Sequence, residues 1–325
     1  MNTDAQQTAE RAADLVAKLR AMIAEAMVGQ EAVIDQVLVA LLCSGHVLIE
    51  GVPGLGKTLL IRALAQALSL QHARVQFTPD LMPSDLTGHT ILDTTTNAMR
   101  VLRGPVFTNI LLADEINRAP AKTQSALLEV MQEFQVTVEG HTLPLARPFM
   151  VLATQNPIET EGTYALPEAQ LDRFLFKISI DYPATEEECA VVLRATDMQS
   201  GDQLPLARVK PCLDARLLEL LQQATARQRV EPAVIDYAVR LARATRAWPG
   251  IAFGSGTRGA ISLVRAARAR ALMAGRDFVT PDDIKDIALP SLIHRIALTP
   301  DAMLEGRAAG TLIREVVDQT PAPRQ

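Results

Sequence analysis

The sequence predicts an α/β fold: a doubly wound parallel sheet followed by a smaller, all-helical domain. Short apolar runs recur at residues 47–49, 75–77, 110–113, 149–153 and 176–180, and they read as strands buried on both faces. Helical segments at 58–68 and 122–134 lie between strands, as parallel crossovers require. After Tyr182-Pro183 the strand signals give way to helical ones.

At 325 residues the chain is longer than one compact core usually holds, so two unequal domains are expected, 1–183 and 184–325. Residues 5–25 place Leu15, Leu19, Met22 and Ile23 at helical spacing, and 32–43 form a second helical run leading into the first strand. In the second half, Thr185-Glu186-Glu187-Glu188 has the spacing of a capping box. Helical segments follow at 214–225, 232–247, 258–274 and 282–288. Thr280-Pro281-Asp282-Asp283 supplies an N-cap, a Pro at the first helical position and acids facing the positive end of the dipole.

Hydrophobic residues make up 48% and charged residues 21%, the balance of an ordinary globular protein, and only 4% aromatics argues against a β-sandwich. The net charge of −5 is unevenly spread. Residues 208–276 hold thirteen Arg or Lys against four Asp or Glu. With only three aromatics in this stretch, Tyr237, Trp248 and Phe253, this surplus reads as solvated helix faces and does not predict a nucleic-acid surface. Cys43, Cys189 and Cys212 are scattered, and no CxxC or Cys/His cluster suggests a disulfide framework or zinc. No signal pattern opens the chain, and the apolar stretch 37–43 is too short to span a bilayer. A cytoplasmic location without membrane insertion is expected.

Gly51-Val52-Pro53-Gly54-Leu55-Gly56-Lys57-Thr58 fits G-x-x-x-x-G-K-[ST], between an apolar strand and a helical run that continues at Leu59. The glycines let backbone N–H groups turn inward on phosphate oxygens, and the helix presents its positive end to the same anion. Lys57 is placed to reach β- and γ-phosphates, and the Thr58 hydroxyl to ligate Mg²⁺. A second strand ends in Asp114-Glu115. At the carboxyl end of a parallel strand, Asp114 would help hold Mg²⁺ and Glu115 would polarise an attacking water. A third ends in Thr154-Gln155-Asn156-Pro157. Asn156 is either a turn-former before proline or a group that orients that water.

Taken together, these segments resemble the AAA+ ATPases, and specifically the MoxR family. The likeness rests on Gly51 to Thr58, Ala113-Asp114-Glu115-Ile116-Asn117-Arg118-Ala119-Pro120 and Ala153 to Pro157, with Gln76-Phe77-Thr78-Pro79-Asp80-Leu81-Met82-Pro83-Ser84-Asp85 and Leu166-Pro167-Glu168-Ala169-Gln170-Leu171-Asp172-Arg173-Phe174. The resemblance implies ATP and Mg²⁺ as ligands. It implies that Val28, Gly29 and Gln30 lie against the adenine and that Asn156 is sensor 1. It makes Arg173 an arginine finger on the neighbouring subunit's nucleotide, and Arg258 the sensor 2 of the lid. The family often has a Pro before that last Arg, where this chain reads Gly254-Ser255-Gly256-Thr257-Arg258. Residues 87–103, with Thr94-Thr95-Thr96-Asn97 as a turn, resemble a hairpin inserted in the second helix, and 136–143 resemble the hairpin before sensor 1. The resemblance implies a ring homo-oligomer, in all expectation a hexamer, that remodels partner complexes, often ones with a von Willebrand A domain. A DNA-directed motor and an ATP-binding switch with little turnover are the rival readings.

Overall fold

A computed structural model of the protein describes residues 2–52, 54–93, 97–156, 162–196 and 206–323. Helices α1 (Asn2–Ala24) and α2 (Glu31–Leu42) open the chain. There follow β1 (Val47–Glu50), α3 (Lys57–Ala67), β2 (His72–Gln76), α4 (Pro83–Thr87), the hairpin of β3 (Gly88–Asp93) and β4 (Ala98–Arg103), and β5 (Ile110–Asp114). Then come α5 (Ala121–Glu133), the hairpin of β6 (Gln135–Val138) and β7 (His141–Pro144), β8 (Met150–Gln155), α6 (Glu168–Leu171) and β9 (Phe176–Ser179). The central sheet has the order β2-β5-β8-β1-β9, every pair parallel. The turn expected at Thr94 to Thr96 lies outside the described residues.

Alternation along each strand divides the sheet's side chains between two faces. Val47 and Ile49, Ile110 and Leu112, and Met150 and Leu152 join one apolar cluster; Leu48, Leu111, Ala113, Val151 and Ala153 join the other. The first cluster takes in α1, α2 and α3, the second α5. Along α1 the buried stripe is Ala9, Ala12, Val16, Leu19 and Ile23, at spacings of three and four. Leu15 and Met22 are only partly buried at its margin.

From Thr185 onward the described elements are α7 (Thr185–Thr196), α8 (Ala215–Ala226), α9 (Pro232–Ala244), α10 (Thr257–Met273), α11 (Pro281–Asp286), α12 (Ala288–Leu292), α13 (Pro300–Leu304) and α14 (Ala309–Gln319), with a small antiparallel pair, β10 (Ile251–Phe253) and β11 (Ala297–Leu298). That pair is too short to leave a periodic signal in the sequence. The apolar cluster of α1–α3 continues into α8, α9 and α10 through Leu218, Tyr237, Leu241 and Leu263, so the helices are seated on one face of the sheet layer. Thr280 is the expected N-cap, and Asp283 completes a reciprocal box with it, Thr280 N–H to Asp283 Oδ2 at 2.8 Å. At α7 the expected box is shifted: Glu187, one residue before the Glu188 of the pattern, reaches back to the Ala184 N–H at 2.9 Å. The helix therefore starts with Thr185 already inside it.

His46, just before β1, is locked in a neutral form. Its Nε2 faces the Met131 carbonyl and its Nδ1 accepts the Val151 N–H, both at 3.0 Å. Burial lowers its pKa to about 4, and the buried His294 is displaced in the same direction. An unfolded imidazole titrates near ~6.5. Between those values the unfolded chain binds more protons, so stability present above pH ~6.5 is lost as pH falls toward 4. For His46 the loss is about 3 kcal/mol. Urea unfolding at pH 7.5 and pH 4.5 checks this, and His46→Gln should show a shallower pH dependence than the wild type.

Candidate active site

The carboxyl ends of β1, β8 and β5 lie side by side, since Glu50 pairs in register with Gln155 and Ala153 with Ala113. The loop after β1 leads straight into α3. Gly56 caps that helix in the left-handed region at φ 77° and Gly54 lies at φ 91°, conformations that glycine adopts without penalty. Gly51 is needed for a close approach, because a Cβ there would come within 2.9 Å of the Ile180 carbonyl oxygen. Gly51, Val52, Gly54, Leu55, Gly56, Lys57, Thr58 and Leu59 thus form one strand–loop–helix turn. Pro53 lies outside the described residues.

Lys57 donates from Nζ to the Gly51 carbonyl at 2.7 Å, inside the curve of the loop. Partial burial lowers its pKa, while the Asp114 and Glu115 charges act in the opposite sense. The ammonium and both carboxylates therefore share one electrostatic neighbourhood. Asp114 accepts the Thr154 hydroxyl at 2.5 Å on Oδ1 and the Arg74 guanidinium at 2.7 Å on Oδ2. Glu115 sits at φ 56°, ψ 50°, with its N–H on Thr154 Oγ1 at 2.9 Å. That left-handed turn swings its carboxylate out of the strand direction, onto Gln76 Nε2 (2.7 Å) and Arg118 Nε (3.0 Å). Asn156 is buried directly after β8, level with this group.

Val28, Gly29 and Gln30 join α1 to α2 on the same side. Met27 Sδ lies 3.5 Å from a Cβ built on Gly56, and Gln30 Nε2 donates to the Asp181 carbonyl at 3.2 Å. The donor set suits ATP with Mg²⁺: an inward lysine, a glycine-lined curve, and hard oxygens from Thr58 and Asp114 of the kind Mg²⁺ takes alongside phosphate and water. Among the described residues no group of three or more His, Cys, Asp or Glu side chains could hold a metal by itself.

Arg173 and Arg258 lie elsewhere. They line a cleft of about 300 Å³ with Ser44, Gly45 and His46, the residues that precede β1, whereas the glycine loop follows it. Four strand residues put roughly 13 Å between the two ends. Arg173 donates to the Leu128 carbonyl at 2.9 Å, and Arg258 pairs with Asp172 at 3.5 Å. A lid arginine directed at its own chain's phosphates would stand by Lys57; Arg258 stands beside Arg173. Lack of a proline before it does not disturb the helix start, because α10 begins at Thr257 with Gly256 as its cap.

Several partners in the site escaped the sequence reading. Gln76 and Thr154 lie inside the motif segments but carried no assignment. Arg74 shares a strand face with Gln76 two residues on, a signal that alternation alone could have supplied. Arg295 is the only permanently charged side chain in the mostly apolar run 289–296.

A five-stranded parallel sheet in this order, with the glycine loop after β1 and helices seated on one face, defines a P-loop ATPase fold of the AAA+ class. Residues 46–176 match the family model described as ATPase family associated with various cellular activities, and 243–316 match an AAA lid domain. The Bacillus subtilis protein YeaC, itself uncharacterised, is 45% identical over 96% of both chains. Chaperone MoxR1 of Mycobacterium tuberculosis is 44% identical over 92% of this chain and 80% of its own. A solved structure from Cytophaga hutchinsonii, whose ATPase assignment is provisional, superposes with a TM-score of 0.90 at 39% identity over 99% of each chain. The chain belongs to the MoxR family of AAA+ ATPases. Among the described residues no helix is long and apolar enough to cross a membrane.

Proposed function

We propose that the protein hydrolyses ATP to ADP and phosphate as a ring of identical subunits, six by expectation, and uses the cycle to remodel or mature partner protein complexes. The observation that carries this reading is the division of charge between the two ends of one sheet. Lys57, Asp114, Glu115 and Asn156 gather at the carboxyl ends, while Arg173 and Arg258 line a cleft at the amino ends. Guanidinium groups without a phosphate loop beside them are complementary to a nucleotide brought by another subunit.

In this reading residues 1–183 bind the nucleotide and 184–325 form the lid. Backbone N–H groups from Gly51 to Leu59 cradle the phosphates, Lys57 neutralises β- and γ-oxygens, and Val28, Gly29 and Gln30 lie against the base. Thr58 and Asp114 would hold Mg²⁺, directly or through water, which when bound neutralises phosphate charge. Glu115 takes the proton of the attacking water and Asn156 holds that water in line. Arg173 and Arg258 serve the neighbour's γ-phosphate.

Client contact falls to the two hairpins, with Leu92 and Met99 on the first 54% and 65% exposed. Complexes containing a von Willebrand A domain are the clients proposed. Arg240 is turned onto Asp236 and the Pro321 carbonyl, and Arg246 onto the Ser255 carbonyl, which favours a protein client over duplex DNA.

Lys57→Ala tests the phosphate-loop reading. Removing one partner of a partly buried charge pair should weaken ATP binding by roughly 10²- to 10³-fold in a calorimetric titration. Affinity near wild type would refute it.

A further inference from the structure

The cleft that holds Arg173 and Arg258 contains one carboxylate, Asp172. Its Oδ1 accepts Nε of Arg295 at 2.7 Å and its Oδ2 faces Nη1 of Arg258 at 3.5 Å. Arg295 comes from the lid, at the end of the single turn Ile293–Arg295, and its side chain is 2% exposed. The same guanidinium donates to the carbonyls of Asp172 (3.2 Å), Phe174 (2.7 Å), Leu175 (3.2 Å) and Ser291. Its neighbour His294 also places Nε2 on the Phe174 carbonyl, at 3.1 Å.

An ion pair whose guanidinium is buried while its carboxylate stays 31% exposed is a poor device for stability alone, since desolvating the cation offsets much of the attraction. What it provides is direction. Arg295 holds Asp172 Oδ1 with Nε and the Asp172 carbonyl with Nη2, so one planar guanidinium grips both side chain and backbone of the same residue, and the carbonyls of Phe174 and Leu175 are held by it as well. Arg258, by contrast, is 49% exposed and sits on a long flexible stem. Among the described residues its charge is anchored on the second oxygen of the carboxylate whose first oxygen Arg295 holds.

We propose that Asp172, held in place by Arg295, is the positioning residue that aims Arg258 across the cleft. The inference rests on the reading of that cleft as the acceptor of a neighbour's phosphates. A simpler role, gluing lid to sheet, predicts a different pattern of mutant kinetics, so a double-mutant cycle on the full-length protein at saturating ATP separates the two. Arg258→Ala should lower kcat by about 10²-fold, the effect of losing one group that stabilises transition-state charge. Asp172→Asn should lower kcat roughly 10- to 100-fold, as a misaimed group does, with KM nearly unchanged. In the Arg258→Ala background the same change should cost less than about 3-fold, because nothing remains to be aimed. Asp172→Glu keeps the charge that faces Arg295 while displacing the carboxylate, so it provides the same cycle should the Asn protein fail to fold. If Arg258→Ala turns over ATP at the wild-type rate while Arg173→Ala is slow, the positioning role falls and the reading of the cleft stands; if both turn over at the wild-type rate, the reading of the cleft falls with it. If Arg258→Ala is slow but both Asp172 substitutions multiply its loss, the positioning role alone is overturned.

Discussion

Arg173→Ala protein is expected to bind ATP with wild-type affinity and to hydrolyse it about 10³- to 10⁵-fold more slowly, even in rings that still assemble. The expectation follows from position. Arg173 precedes β9 at the end of the sheet opposite the glycine loop, too far from its own Lys57 to share a phosphate. Its planar, permanent charge suits three equatorial oxygens whose negative charge grows in the transition state, which a mobile ammonium would match less well. Because the group acts late, binding should be spared while turnover is lost. Nucleotide titration and single-turnover hydrolysis on the same preparation measure the two separately. A variant that loses affinity and rate together would place Arg173 in the binding of its own nucleotide.

Glu115→Gln should lower turnover by roughly 10²- to 10⁴-fold, the usual contribution of a positioned general base. The amide is isosteric, and its oxygen can still accept from Gln76 Nε2, which now meets Glu115 at 2.7 Å. The left-handed turn at 115 is held from the backbone by Thr154, so the site should keep its shape and still bind ATP. Turnover within about tenfold of wild type would move water activation to another carboxylate.

The sheet was legible because its strands are buried on both faces. Runs such as Ile110 to Ala113 are apolar at every position, and alternation sends Leu111 and Ala113 to one cluster and Ile110 and Leu112 to the other. The edge strand β2 reads less clearly. His72, Arg74 and Gln76 alternate with Ala73 and Val75, so only its last apolar residues stood out and its start was missed. β10 and β11 are shorter still, and their pairing is a product of the lid's packing rather than of any local pattern.

The candidate site divides in the same way. A contiguous loop such as Gly51 to Thr58 carries its chemistry in one segment, because glycine conformation and helix start are local. What joins distant segments left no local trace. Arg74 on Asp114, Thr154 between Asp114 and Glu115, and Arg295 on Asp172 each link residues more than thirty positions apart. Arg258 is the instructive case: helix position alone makes it a lid residue, but only the packing of α10 decides which end of the sheet it faces. It faces Asp172, at the end of the sheet away from its own glycine loop.

In this reading each ATP site is built from two subunits, and a mixture of two inactive variants reveals whether it is. Arg173→Ala and Lys57→Ala proteins are each expected to be nearly inactive alone. Co-assembled, some interfaces join an intact loop from one subunit to an intact arginine from the next, and ATP turnover should rise well above that of either protein. Activity that stays at the level of the separate variants, in rings shown by mass to contain both, would contradict a site shared between subunits.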